Sequence, residues 1–145
     1  MTQAEQLSLT ITPGTPMLKV IPPRLVEPYL NGQRSVIAGY LYDARDCLFT
    51  DPASFFDALA LGYPGSDFRR DIPELYLLRW LVMDMAGSLV TPPEGGTGPG
   101  GTVPEYFTLP IPIPVGAEIC RVTAAGEEPL ARYDGQLWVT PTRRH

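Results

Sequence analysis

Apolar and polar residues alternate from Leu7 to Thr12 and again from Met17 to Ile21, with Pro13 and Gly14 between them, a pattern that predicts a hairpin. Pro22 and Pro23 end it, and after a polar turn at Asn31 and Gly32 the run from Ser35 to Tyr42 is rich in β-branched and aromatic residues, as a buried strand is. Asp51 followed by Pro52 fits a helix N-cap with proline at the first helical position. Phe55, Phe56 and Leu59 then share one helical face, so a helix is expected near 52–61, with Gly62 as the left-handed residue that stops it. Tyr63, Pro64, Gly65 and Ser66 place proline and glycine as a type II turn requires.

From Glu74 to Met85 two patterns compete. Leu75, Leu78, Val82 and Met85 recur at helical spacing, whereas a dense apolar run also suits a central strand covered on both faces. The framing by Pro73 and by Ser88 to Pro93 favours a strand over 75–83. Further on, a strand is expected over 117–123 and a hairpin around Asp134 and Gly135. A two-residue turn there pairs Tyr133 with Gln136, Arg132 with Leu137, Ala131 with Trp138 and Leu130 with Val139.

Between these elements, residues 91–116 hold seven of the 17 prolines and six of the 14 glycines. The part from Thr91 to Thr102 is expected to form a flexible loop. The part from Leu109 to Val115 carries Pro110, Pro112 and Pro114 at alternate positions. Alternate residues of a strand aim their amides at opposite edges, so all three missing donors lie on one edge. An edge strand is therefore predicted, with Leu109, Ile111, Ile113 and Val115 turned to the core.

Together the elements define an α+β single domain over 1–145, dominated by antiparallel β-sheet of about seven or eight strands, enough to curl toward a barrel, with one helix near 52–61. Hydrophobic residues at 44% and charged ones at 19% allow a packed core. A net charge of −5, with lysine only at Lys19, argues against nucleic acid as partner. The N-terminal residues lack the pattern of a secretory signal, and Arg79 and Asp84 interrupt the most apolar window, so no membrane partner and a cytoplasmic location are expected. Cys47 and Cys120 stand far apart and suit buried small hydrophobes better than a disulfide.

Candidate chemistry is sparse. The one histidine, His145, ends the sequence and cannot be oriented as a general base, and the cysteines lack zinc-site spacing, so neither metal nor cofactor is expected. Gly96, Gly98 and Gly101 formally match a phosphate-binding fingerprint, but Pro99 interrupts it and no helix pattern follows. Asp43, Arg45 and Asp46 lie where a strand runs into a loop, and paired carboxylates there could act as acid and base. Glu105, held between Pro104 and Tyr106, is a third catalytic candidate. Arg45, Arg132, Tyr42, Tyr106 and Trp138 are the candidate ligand-binding residues, with Arg132 notable on an otherwise apolar hairpin face, where it must snorkel, pair with Glu118 or take an anion.

The glycine-rich segment, then Pro104, Glu105 and Tyr106, then an antiparallel hairpin, is similar in order to small NAD-consuming bacterial toxins of the ADP-ribosyltransferase type. The arginine or histidine strand, the Ser-Thr-Ser strand and the glutamate-x-glutamate loop of those proteins have no counterpart here, so no residue role carries over. The expectation is a binding module for a protein partner or for a small apolar-to-anionic ligand. The alternative is a small enzyme that works with carboxylate and arginine groups, in NAD processing or a pocket-templated cyclisation.

Overall fold

The computed structural model describes residues 13–62, 65–82, 103 and 106–140. The strands are β1 (Pro16–Ile21), β2 (Val36–Asp43), β3 (Glu74–Leu81), β4 (Tyr106–Pro112), β5 (Glu118–Thr123), β6 (Gly126–Tyr133) and β7 (Trp138–Val139). All pair antiparallel in the order β4-β2-β1-β3-β5-β6-β7. The two end strands are not neighbours, so the sheet curls into a half-barrel and does not close. Two helices accompany it among the described residues, α1 (Val26–Leu30) and α2 (Pro52–Ala58). The α+β architecture is as expected; the short α1 is an addition, entered through a 3-10 turn that starts at Pro23, where the fixed proline φ favours helical entry.

One strand shapes the curl. The end of β2 pairs Tyr42 and Asp43 with Leu18 and Met17 of β1, while its earlier part pairs with β4. Between Ile37 and Gly39 the register shifts because β4 carries one residue more than β2 between Thr108 and Ile111, and Gly39 of β2 sits at φ +93°; past Tyr42 toward its start, β2 leaves β1 and forms an arm with β4. Where the two strands part, the Lys19 ammonium donates to the Tyr40 carbonyl at 3.2 Å.

Both faces of the central strands are covered, which is why β3 reads as a nearly unbroken apolar run. On the inner face Met17, Ile21, Leu78, Trp80 and Ile119 pack with Ile37, Leu41 and Tyr106 of the arm and with Tyr29 of α1. On the outer face Leu18, Val20, Leu75, Leu77 and Val122 pack under Phe55, Leu59, Leu61 and Phe68. Helix α2 starts as predicted, the Asp51 carboxylate accepting the Ser54 amide at 2.8 Å. Its end differs from expectation. Ala60, at φ 53°, takes the left-handed position, whereas Gly62 is needed because a Cβ there would stand 2.7 Å from the Phe56 ring.

Two further expectations are corrected. The last hairpin pairs Arg132 with Val139 and Tyr133 with Trp138, two residues off the predicted register. The Asp134 carboxylate accepts the amides of Gln136 and Leu137 at 2.8 and 2.7 Å, which stabilises a four-residue loop in place of a two-residue turn. A slip of two keeps Arg132 and Val139 on one face and Tyr133 and Trp138 on the other, whereas Leu130, beside the irregularity at Ile119 and Cys120, packs against the inner cluster and not on the face of Arg132. Second, β4 is an edge strand that pairs with β2 alone among the described residues, with Ile111 and Ile113 buried, but it ends at Pro112 and Val115 is 67% exposed. The chain turns at Val115 and Gly116, the latter at φ +92°, so the alternation ends before Val115. The expected strand 7–12, the loop 91–102 and Glu105 lie outside the described residues.

Candidate functional site

The predicted site residues do not assemble into one place. Tyr42 is core, its hydroxyl donating to the Leu59 carbonyl at 3.5 Å, and Tyr106 is buried in the inner cluster. Trp138 packs on Tyr133 at 5.3 Å between ring centroids, against the same cluster. Arg132 is four strands away from Asp43, about 19 Å along the sheet at the usual strand spacing. What remains together is the trio at the end of β2. Arg45 clamps the nearly buried Asp43 carboxylate, with its Nη2 at 2.6 Å and its Nε at 3.0 and 3.1 Å from the two oxygens. Hydrogen bonding to Asp43 holds the guanidinium above its ordinary value despite partial desolvation. Burial, then the neighbouring Asp43 charge, pushes the Asp46 carboxyl up, with Arg45 pulling the other way.

The adjoining charges were not anticipated. Arg79, from the middle of β3, points to the outer face, where Glu127 accepts from its Nε at 2.8 Å and its Nη2 at 2.7 Å. Both side chains are about a quarter exposed, at 27% and 29%. Burial opposes the charge on Arg79, but the Glu127 bonds and charge outweigh it and the guanidinium lies above its ordinary value. The same guanidinium acts on the buried thiols of Cys47 and Cys120. Desolvation, reinforced by Asp46 at Cys47 and by Glu127 at Cys120, pushes each thiol up to about 12, so at neutral pH both are protonated and poor nucleophiles. The sequence held one clue to this cluster: Arg79 is one of the two charges that interrupt the most apolar window.

Register extends the cluster into a row. Arg79 stands opposite Glu118, and Glu118 opposite Arg132, so cation, anion and cation face outward on neighbouring strands. Arg132 is exposed and makes no ion pair among the described residues. Beyond it stands Val139, its ladder partner, and at the near end Leu81 is 55% exposed. The outer face therefore has a covered middle, roofed by α2 and its flanking loops, and an open charged end on β3, β5, β6 and β7.

Among the described residues no three His, Cys, Asp or Glu side chains converge on one metal position, and no helix is long and apolar enough to cross a membrane. Searches against protein-family models, curated proteins and solved structures return no match to this chain.

Proposed function

We propose that the protein is a binding module that receives a protein partner on the open charged end of its outer face. The observation that supports this reading is Arg132, exposed in the row with Glu118 and Arg79 and bordered by the exposed side chain of its ladder partner Val139. Arginine beside aliphatic surface is a common binding anchor, because its planar fork engages a partner carboxylate while its stem packs. The partner expected carries a carboxylate flanked by apolar residues. Capture from a native lysate with the wild type and with Arg132→Glu tests it: a protein retained by the wild type and lost from the variant is expected, and equal retention by both would sink the reading.

The enzymatic alternative draws support from Asp46, an exposed residue whose carboxyl is nonetheless raised by partial desolvation and by the neighbouring Asp43 charge. Its signature is a large thermal shift with NAD or another small metabolite, abolished by Asp46→Asn, with no protein captured.

A further inference from the structure

Asn31 is the only asparagine of the chain, and Gly32 follows it. The two form the turn that ends α1, where the Asn31 amide donates to the Glu27 carbonyl at 2.9 Å and the Gly32 amide to the Tyr29 carbonyl at 3.1 Å. Residues 31–33 are exposed, Gly32 stands at φ +81°, and beyond its chain neighbours no heavy atom lies within 4 Å of the place a Cβ would take there. In the same turn the Asn31 side-chain oxygen accepts the Gln33 amide at 3.0 Å. An asparagine carbonyl carbon is thus carried on an open turn, next in sequence to an unhindered backbone nitrogen and with a donor already on its oxygen.

We infer that Asn31 and Gly32 form a self-modifying site, which converts with time to aspartate and isoaspartate and so loosens the seat of α1. The Gly32 nitrogen gives its proton to a base in the solvent and attacks the side-chain carbonyl carbon of Asn31, closing a five-membered imide. The bond from that carbon to the side-chain nitrogen breaks, and the nitrogen takes up a proton from water and leaves as ammonia. Water then opens the imide at either carbonyl; the product carries one new carboxylate, and nothing is oxidised or reduced. The Gln33 amide is placed to hold the negative oxygen of the first step, as a backbone donor does in an oxyanion hole. Glycine brings no Cβ against the attacked carbon and turns freely. The fold imposes one step, opening the bond from Gly32 to Tyr29, and a single exposed cap bond opens at little cost.

The chain contains its own control. Asp134 and Gly135 could close the same imide, but the Leu137 and Gln136 amides hold the Asp134 carboxyl below its ordinary value, and an ionised carboxylate resists attack. At Asn31 the product acts on α1. A carboxylate there stands four residues from Glu27, a spacing at which like charges repel along a helix, and isoaspartate adds a backbone carbon within the cap. The same turn carries Tyr29, which is buried in the inner cluster and donates its hydroxyl to the Val36 carbonyl at 3.0 Å.

Incubating the full chain for days in mildly alkaline buffer and then cutting it with trypsin tests this, since cleavage after Arg24 and Arg34 isolates residues 25–34. That peptide is expected to gain one negative charge and to separate into aspartyl and isoaspartyl forms, at a rate that rises with pH and lies within about tenfold of the rate in the denatured chain. The peptide that carries Asp134 should stay as it was. Gly32→Ala should slow the conversion several-fold, and Asn31→Gln, which would have to close a larger ring, should stop it; circular dichroism confirms that each variant folds. In the converted chain the Gly32 and Arg34 amides, which donate to the Tyr29 and Pro28 carbonyls, should exchange with solvent faster than before conversion. An intact Asn31 in the native chain after the denatured chain has converted fully, a new charge placed on Gln33 instead, or Gly32→Ala converting as fast as the wild type would overturn the site. Unchanged exchange in a fully converted chain would overturn its action on α1.

Discussion

Two parts of the outer face lie open on the same sheet, on either side of a covered middle, yet one carries a row of charges and the other none. The uncharged part is the arm of β2 and β4, where Val36, Tyr40, Pro110 and Pro112 are exposed and no residue of 35–42 or 106–112 is charged. Along Arg79, Glu118 and Arg132 the charges alternate from strand to strand, which favours cross-strand attraction and keeps that end of the sheet wetted. On the arm the protection comes from Pro110 and Pro112, which block pairing at the edge without placing a charge on the face. Two ways of keeping an exposed sheet from aggregating therefore leave different surfaces behind. Blocking by charge makes a face that selects partners by charge, and blocking by proline leaves a face that stays apolar. Strand β6 combines both: among the described residues β7 pairs with Arg132 and Tyr133 alone, and the rest of β6 carries Glu127, Glu128 and Pro129.

The covered middle is what separates the two ends, and removing its roof has the largest expected effect. Phe55 is fully buried and packs edge to face on Phe49 at 5.2 Å between ring centroids. Truncation by Phe55→Ala is expected to cost about 3–5 kcal/mol in urea denaturation. A loss under about 1 kcal/mol would mean that α2 is not the element that holds this cover in place.

Next in size is the ion pair at the border of the charged end. Arg79→Met leaves the Glu127 carboxylate without its partner in a half-buried setting and is expected to cost about 1–2 kcal/mol, between exposed and buried pairs. A double-mutant cycle with Glu127→Gln reads the coupling, and a coupling near zero would show that the row is solvated at this point and does not extend the core.

Much of this was legible in the sequence, and the exceptions have specific causes. The strands, the proline edge and the Asp51 cap follow from local rules: alternation, missing donors, and a carboxylate one residue before a helix. The site was less legible because it is assembled by register. Nothing in the chain places Arg79 beside Glu127, or sets Arg79, Glu118 and Arg132 in one row; the antiparallel ladders among β3, β5 and β6 do that. The Asp134 loop was misjudged because its side chain satisfies two backbone amides, which a dipeptide turn rule does not count. Helix α1 escaped because five residues give too short a pattern to show a period.

A pH series probes the chemistry beneath the charged end. Burial raises the thiols of Cys47 and Cys120 to about 12 in the fold, while in the unfolded chain they ionise at about 8.5. Groups raised on folding stabilise fully below their unfolded values and withdraw that stability as pH climbs toward the folded ones. Tyr76, also raised by burial and by its bond to Glu74, acts in the same direction. Stability is therefore expected to fall from about pH 8.5 toward about 12, and Cys47→Ala should make that slope shallower. A disulfide reagent at neutral pH should modify the native thiols no faster than the chain unfolds; rapid labelling would show that the site opens.

The smallest effect on stability, and the sharpest contrast between the two ends, is expected from the paired change Pro110→Thr and Pro112→Thr. Both side chains are exposed, so the stability of the monomer should move by no more than about 0.5 kcal/mol. The change nevertheless restores two donors to the free edge of an uncharged strand, which then offers a template for another chain. Concentration-dependent growth of large assemblies, rich in β-structure by infrared spectroscopy and absent from the wild type, is the expected outcome. If the variant stays as soluble as the wild type, the prolines are not what guards this edge, and the contrast between protection by proline and protection by charge fails at the arm.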